Sequence, residues 1–151
     1  MSQIRARERM WKRPRGRTLA LESLEGSRSR IYEQCTWHVA RRRIEMGLQP
    51  SPTAYGQYTA FSASWVPRAG DQLKWGGTPA AGGVHQAIIE RVSGPVISGK
   101  VKTYTITLSQ YNAGGHNEFN TFTTTFQVTG QTVTQLPKFR TGGVNATGYY
   151  R

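Results

Sequence analysis

The chain has a single cysteine, Cys35, in 151 residues. An internal disulfide is therefore excluded, and the fold must rest on packing and hydrogen bonding. Acidic side chains are scarce as well: eight Asp and Glu, Asp71 being the lone aspartate, stand against 20 Lys and Arg. The carboxylates with any claim to glycoside chemistry (Glu33, Glu45, Asp71, Glu90, Glu118) lack the spacing of a pair. One cysteine and three scattered histidines offer no close ligand spacing, so no metal or other cofactor is expected. No apolar run approaches the roughly 20 residues that a membrane helix needs. The basic start is followed only by LALESLEG (Leu19 to Gly26), too short and too acidic for the apolar core of a signal peptide. A Gly-x-Ser-x-Gly elbow and a phosphate loop are also missing.

What is present is positive charge, unevenly placed. The formal net charge is +12. Residues 1–30 hold nine basic side chains against Glu8, Glu22 and Glu25, which makes +6. Such an excess attracts polyanions: nucleic acid, anionic lipid or acidic wall polymers. Residues 1–29 read as a basic arm, solvated or ordered by a partner, and residues 30–151 as one domain.

Apolar periodicity predicts a helix over 30–46, with Ile31, Cys35, Val39 and Met46 as its stripe and Gly47 as its stop. A loop with a short helix around Tyr55 to Ala63 is expected next. Pro67 to Trp75 reads as a turn and a short strand, Gly76 to Gly83 as a loop, and His85 to Val92 as a strand. Ser93 to Lys100 reads as a turn region. Lys102 to Asn112 alternates and is rich in β-formers. After a loop at Ala113 to Glu118, Phe119 to Val133 supplies one or two further strands. A helix followed by antiparallel strands is an α+β pattern.

Three parts of this chain could perform chemistry together. Cys35 falls near the start of the expected helix, where free N–H groups and the dipole favour a thiolate and an oxyanion. His85 follows a glycine-rich loop and opens the most apolar strand, which suits a general base. Gln110 and Asn112 are i and i+2 on one strand, so they share a face. An amide on that face can orient the imidazole, as in triads whose third member is an amide. His38 and His116 are weaker candidates for the base. Taken singly, Cys35 is also readable as a small buried hydrophobe, and the two amides as a solvated strand face.

Four segments then fall in a recognisable order: QCTWHVARRR (Gln34 to Arg43), PRAGDQLKW (Pro67 to Trp75), GVHQAIIERV (Gly83 to Val92) and ITLSQYN (Ile106 to Asn112). Together they resemble the CHAP family, the cysteine- and histidine-dependent amidohydrolases and peptidases, over about residues 31–125. The resemblance implies a papain-like α+β fold, with the cysteine helix packed on an antiparallel sheet. It further implies cleavage of a peptidoglycan amide bond, as amidase or endopeptidase. Carried over, Cys35 is the nucleophile, His85 the base, Asn112 the family asparagine and Gln34 an oxyanion donor beside the Cys35 N–H. Trp37, Asp71 and Trp75 would line the site. The chain departs from the family at Gln110, where a glutamate is usual, and at Val84, where a glycine often precedes the histidine. An amide orients an imidazolium but does not neutralise it.

The lack of a secretion signal and of a second wall-binding module points to a bacteriophage product, in the virion tail or released to the wall. Residues 1–30 would then dock onto other virion proteins or onto anionic wall polymers. Three alternatives stay open: a virion structural protein with a degenerate site, a nucleic-acid-binding protein using the basic arm, and a protease or deamidase with a protein substrate.

Overall fold

The computed structural model describes residues 34–50, 58–76, 85–111, 119–139 and 144–151. The basic arm, Asn112, His116, Val84 and the side chain of Gln34 lie outside the described residues.

Helix α1 (Gln34–Glu45) carries the cysteine. Arg42 and Arg43 occupy its last turn, where cations oppose the negative end of the dipole. It stops where expected. Gly47 takes a φ of 80°, its N–H donates to the Ile44 carbonyl, and the Leu48 N–H reaches back to the Arg43 carbonyl. These bonds satisfy helix-end carbonyls that would otherwise be orphaned.

Among the described residues six strands follow: β1 (Gln72–Trp75), β2 (His85–Ser98), β3 (Val101–Tyr111), β4 (Phe119–Thr129), β5 (Thr132–Gln135) and β6 (Gly148–Tyr150). They form one curled antiparallel sheet in the order β5-β4-β3-β2-β1-β6. The α+β class holds, with a single described helix lying across β2 and β3.

Three expectations are corrected. The described part of the expected short helix, 58–63, is not helical; Thr59 instead forms an isolated bridge with Tyr149. The turn region at Ser93 to Lys100 is mostly strand, and only Gly99 and Lys100 turn. A register shift between Ser93 and Val96 absorbs the Gly-Pro pair. Pro95 is tolerated because β1 pairs with β2 only as far as Ile88, so among the described residues the outer side of β2 there has no neighbouring strand. Gly94 is required, since its φ is 95° and an added Cβ would stand 2.9 Å from the Thr103 carbonyl oxygen. Strand β6 was not foreseen: three residues at the end of the chain carry no usable period, and pairing with β1 creates it.

One face of the sheet carries the core: Leu73, Trp75, Ala87, Ile89, Tyr104, Ile106, Leu108, Phe126 and Val128, closed over by Trp65 and Ala146. Trp65 meets Phe126 edge-on at 4.8 Å, a favoured geometry. The other face receives α1. At that end both faces are covered, so Gln86 to Ile89 and Leu108 to Tyr111 are buried without alternation. This explains why AIIE reads as a continuous apolar run.

Polar clamps fix the helix to the sheet. Arg42 donates from Nε and a terminal nitrogen to Glu90, at 2.9 and 2.7 Å, and from its other nitrogen to Glu45 at 2.7 Å. Glu90 also accepts the Ser109 hydroxyl at 2.6 Å, and Ser109 in turn meets His38 Nε2 at 3.0 Å.

Candidate active site

The site forms where the sheet splits. The β2–β3 ladder begins at Ile88↔Ser109. Pairing of β1 with β2, however, continues to Trp75↔His85, and pairing of β3 with β4 continues to Tyr111↔Phe119. Between the diverging ends of β2 and β3, backbone groups lose their ladder partners. The direction of those groups can be worked out. Ile89 donates its N–H to the Asp71 carbonyl and accepts the Gly70 N–H, so its polar groups face β1. Alternation then turns the groups of Ile88 and Gln86 toward β3. At Gln86 the acceptor is the sulfur of Cys35. The thiol therefore stands where a β3 carbonyl would be, adjoining His85 in sequence. The split lies between the helix-covered face, which carries Cys35, and the core face, on which His85 meets Phe139 and Trp75.

Cys35 is 6% exposed. Burial pushes its thiol above the ordinary range, and this outweighs the pull of its donors. Those donors are the Gln86 N–H, the Thr36 hydroxyl, and the Thr36 and Cys35 N–H groups at the helix start.

His85 is half-buried, its ring 4.8 Å from that of Phe139 and 6.2 Å from that of Trp75. Its Nε2 lies 2.8 Å from Oε1 of Gln110. Gln110, 2% exposed, donates its own amide nitrogen to Asn120 Oδ1 at 2.6 Å. With its NH2 group on Asn120, Gln110 turns its carbonyl toward His85. A carbonyl only accepts, so in this arrangement Nε2 donates to Gln110. The segment that presents Phe139 also walls a groove of about 440 Å³ with Val133, Gln135, Lys138 and Asn145.

Cys35, His85, Gln110 and Trp75 thus share one end of the sheet. Trp37 is buried under the Arg41 guanidinium, 4.5 Å from its ring centroid. Two residues beyond Cys35 on a helix, it does not share the thiol's face. Asp71 lies just beyond the opposite end of β1. Its carboxylate accepts from the Trp65 indole, the Arg68 N–H and the Arg151 guanidinium, which makes it a tie for the chain's last residues. Of the carboxylates weighed for paired chemistry, the three described ones, Glu45, Asp71 and Glu90, are each bonded to an arginine. Asn120 escaped sequence reasoning. Its only signal is its register opposite Gln110, and that register exists only once β3 and β4 pair.

No known family model matches this chain, and no curated protein or solved structure is significantly similar to it. The class defined by the fold of the described residues is α+β: one described helix on a curled, six-stranded antiparallel sheet.

Proposed function

We propose that the chain is a cysteine-dependent amide hydrolase of the CHAP type, acting on bacterial peptidoglycan from a phage virion or as a released lysin. The observation that supports this reading is the Cys35 thiol, bonded to the backbone N–H next to a histidine whose ring is oriented by an amide. In the proposed reaction His85 takes the thiol proton as Sγ attacks the amide carbonyl carbon. The carbonyl oxygen becomes the oxyanion, met by N–H groups at the start of α1 and by Gln34. Collapse breaks the C–N bond, and His85 gives its proton to the departing amine. Water, deprotonated by His85, then cleaves the thioester and regenerates the thiol. Asn112 would assist from the end of β3, and residues 1–30 would hold the enzyme to virion proteins or to anionic wall polymers.

A second reading is favoured by one pair of facts: the thiol is pushed toward its protonated form, and Gln110 stands where a carboxylate would stabilise the imidazolium. It is a virion structural protein whose site no longer turns over. The test is turbidity loss and amine release from purified sacculi, comparing wild type with Cys35→Ala. Activity lost in the variant supports the hydrolase. A folded wild type that is inert on walls of several chemotypes supports the structural role.

A further inference from the structure

The end of the sheet away from Cys35 and His85 carries a feature that the proposed reaction does not use. β2 runs from His85 to Ser98, then turns through Gly99 and Lys100 into β3. At a rise of about 3.3 Å per residue, roughly 40 Å of strand separates His85 from this turn. Val96 is 70% exposed and Ile97 62%, two adjacent aliphatics at the head of the hairpin. β1 pairs with β2 only up to Ile88, so among the described residues no strand flanks them on the outer side. An added Cβ at Gly99, or at Gly130 in the neighbouring β4–β5 turn, would meet no other atom within 4 Å. The Gly130 N–H donates to the Lys100 carbonyl at 2.9 Å, which ties the two turns together. This end of the sheet therefore projects as one unit with two apolar side chains in water.

The charge around them has one sign. From Arg91 to Asn117 the sequence has no Asp or Glu, while Arg91, Lys100 and Lys102 are cations. Lys102 lies opposite Ile97 in the β2–β3 ladder, so the two side chains share a face. Lys100 and Lys102 are both exposed. A lysine there can lay its stem along an aliphatic neighbour and extend its ammonium outward. An aliphatic tip with cations beside it suits a surface that is anionic outside and apolar beneath. Nucleic acid or a wall polymer would engage the lysines and leave Val96 and Ile97 in water. A specific protein interface buries on the order of 1,000 Å², and two side chains at a turn offer little of that. A second copy of the chain would bring the same cations. We propose that the β2–β3 turn is a peripheral docking tip for an anionic bilayer: Val96 and Ile97 enter its interfacial layer, and Lys100 and Lys102 meet the headgroup phosphates. Nothing crosses the membrane. The end of the sheet that carries Cys35 and His85 stays turned away from the lipid. The inference is independent of the hydrolase reading.

The test uses the full-length chain and vesicles of phosphatidylcholine, alone or mixed equally with phosphatidylglycerol. Residues 1–30 can adsorb to anionic lipid by charge alone, so insertion is read at the tip itself. Ile97→Cys in a Cys35→Ala background puts the chain's single thiol at the tip, where it takes an environment-sensitive NBD label. Thr121→Cys in the same background is the control, since Thr121 is exposed and sits opposite Ser109 at the other end of the sheet. On the mixed vesicles the label at 97 should shift to the blue and be quenched by nitroxide-bearing lipid, and the label at 121 should do neither. Unlabelled protein carrying Val96→Ser and Ile97→Ser should partition onto those vesicles roughly tenfold or more weakly than wild type. Lys100→Gln with Lys102→Gln should weaken it by a similar factor. A label at 97 that stays in water on bound vesicles, or partitioning unchanged by the two serines, overturns the inference and assigns adsorption to cations elsewhere. Dimerisation without lipid, seen by sedimentation and lost in the serine variant, overturns it in favour of contact between copies. Hydrolysis of sacculi, which contain no bilayer, should be the same in wild type and the serine variant, so the two proposals fail separately.

Discussion

Raising the pH should weaken this fold through one atom. Cys35 is 6% exposed and burial holds its thiol above the ordinary range. In the unfolded chain the same thiol ionises near the free value of about 8.5. Between that value and the higher folded one, the folded state keeps a proton that the unfolded state has lost. The contribution to stability is complete below the unfolded value and is lost as pH rises through the folded one. The slope in that window approaches about 1.4 kcal/mol per pH unit for one group. Urea unfolding followed from pH 7 to pH 11 in wild type and in Cys35→Ala isolates it, because the other titrating groups are common to both. The wild-type curve should fall away from that of the variant above about pH 8.5. Alkylation by iodoacetamide, run alongside, should be slower at neutral pH than for a free thiol. Superimposable pH dependences, or rapid alkylation at neutral pH, would refute the argument. Such a result would mean that burial does not hold the folded thiol above its ordinary range.

Two further perturbations probe what holds the site in place. Asp71→Ala removes the acceptor of a buried indole N–H, a backbone N–H and the Arg151 guanidinium, and should cost about 2–4 kcal/mol in urea unfolding. Removing Arg151 alone should cost less than about 1 kcal/mol, because that partner is largely exposed. For the helix clamp, a double-mutant cycle on Arg42→Met and Glu90→Leu should give a coupling of about 1–2 kcal/mol, since both partners are only partly buried and the contact is bidentate. Zero coupling would show that apolar packing alone seats α1.

Much of the fold could be read from residue pattern because it depends on local periods. The stop at Gly47, the β-branched alternation of Lys102 to Asn112 and the apolar run after His85 each act within a few residues. The turn proposed at Ser93 to Lys100 failed for an instructive reason. Gly94 and Pro95 are strong turn formers, yet a shift in register lets them sit inside β2 where β1 no longer runs beside it. The short helix at Tyr55 to Ala63 failed because its described part answers to Tyr149, some 90 residues away.

The chemistry divides in the same way. Residue type and order determined which groups could react: one thiol at a helix start, one histidine at the head of an apolar strand, and amides on the next strand. Tertiary structure decided where each of them stands. Only the divergence of β2 from β3 leaves the Gln86 N–H for the sulfur to occupy, and only the β3–β4 register brings Asn120 to Gln110. Only burial pushes the Cys35 thiol above its ordinary range. The physical reason is range. Backbone preference and side-chain period act over a few residues and are written in the chain, whereas ladder register, hydrogen-bond direction and desolvation depend on which distant segments fold together.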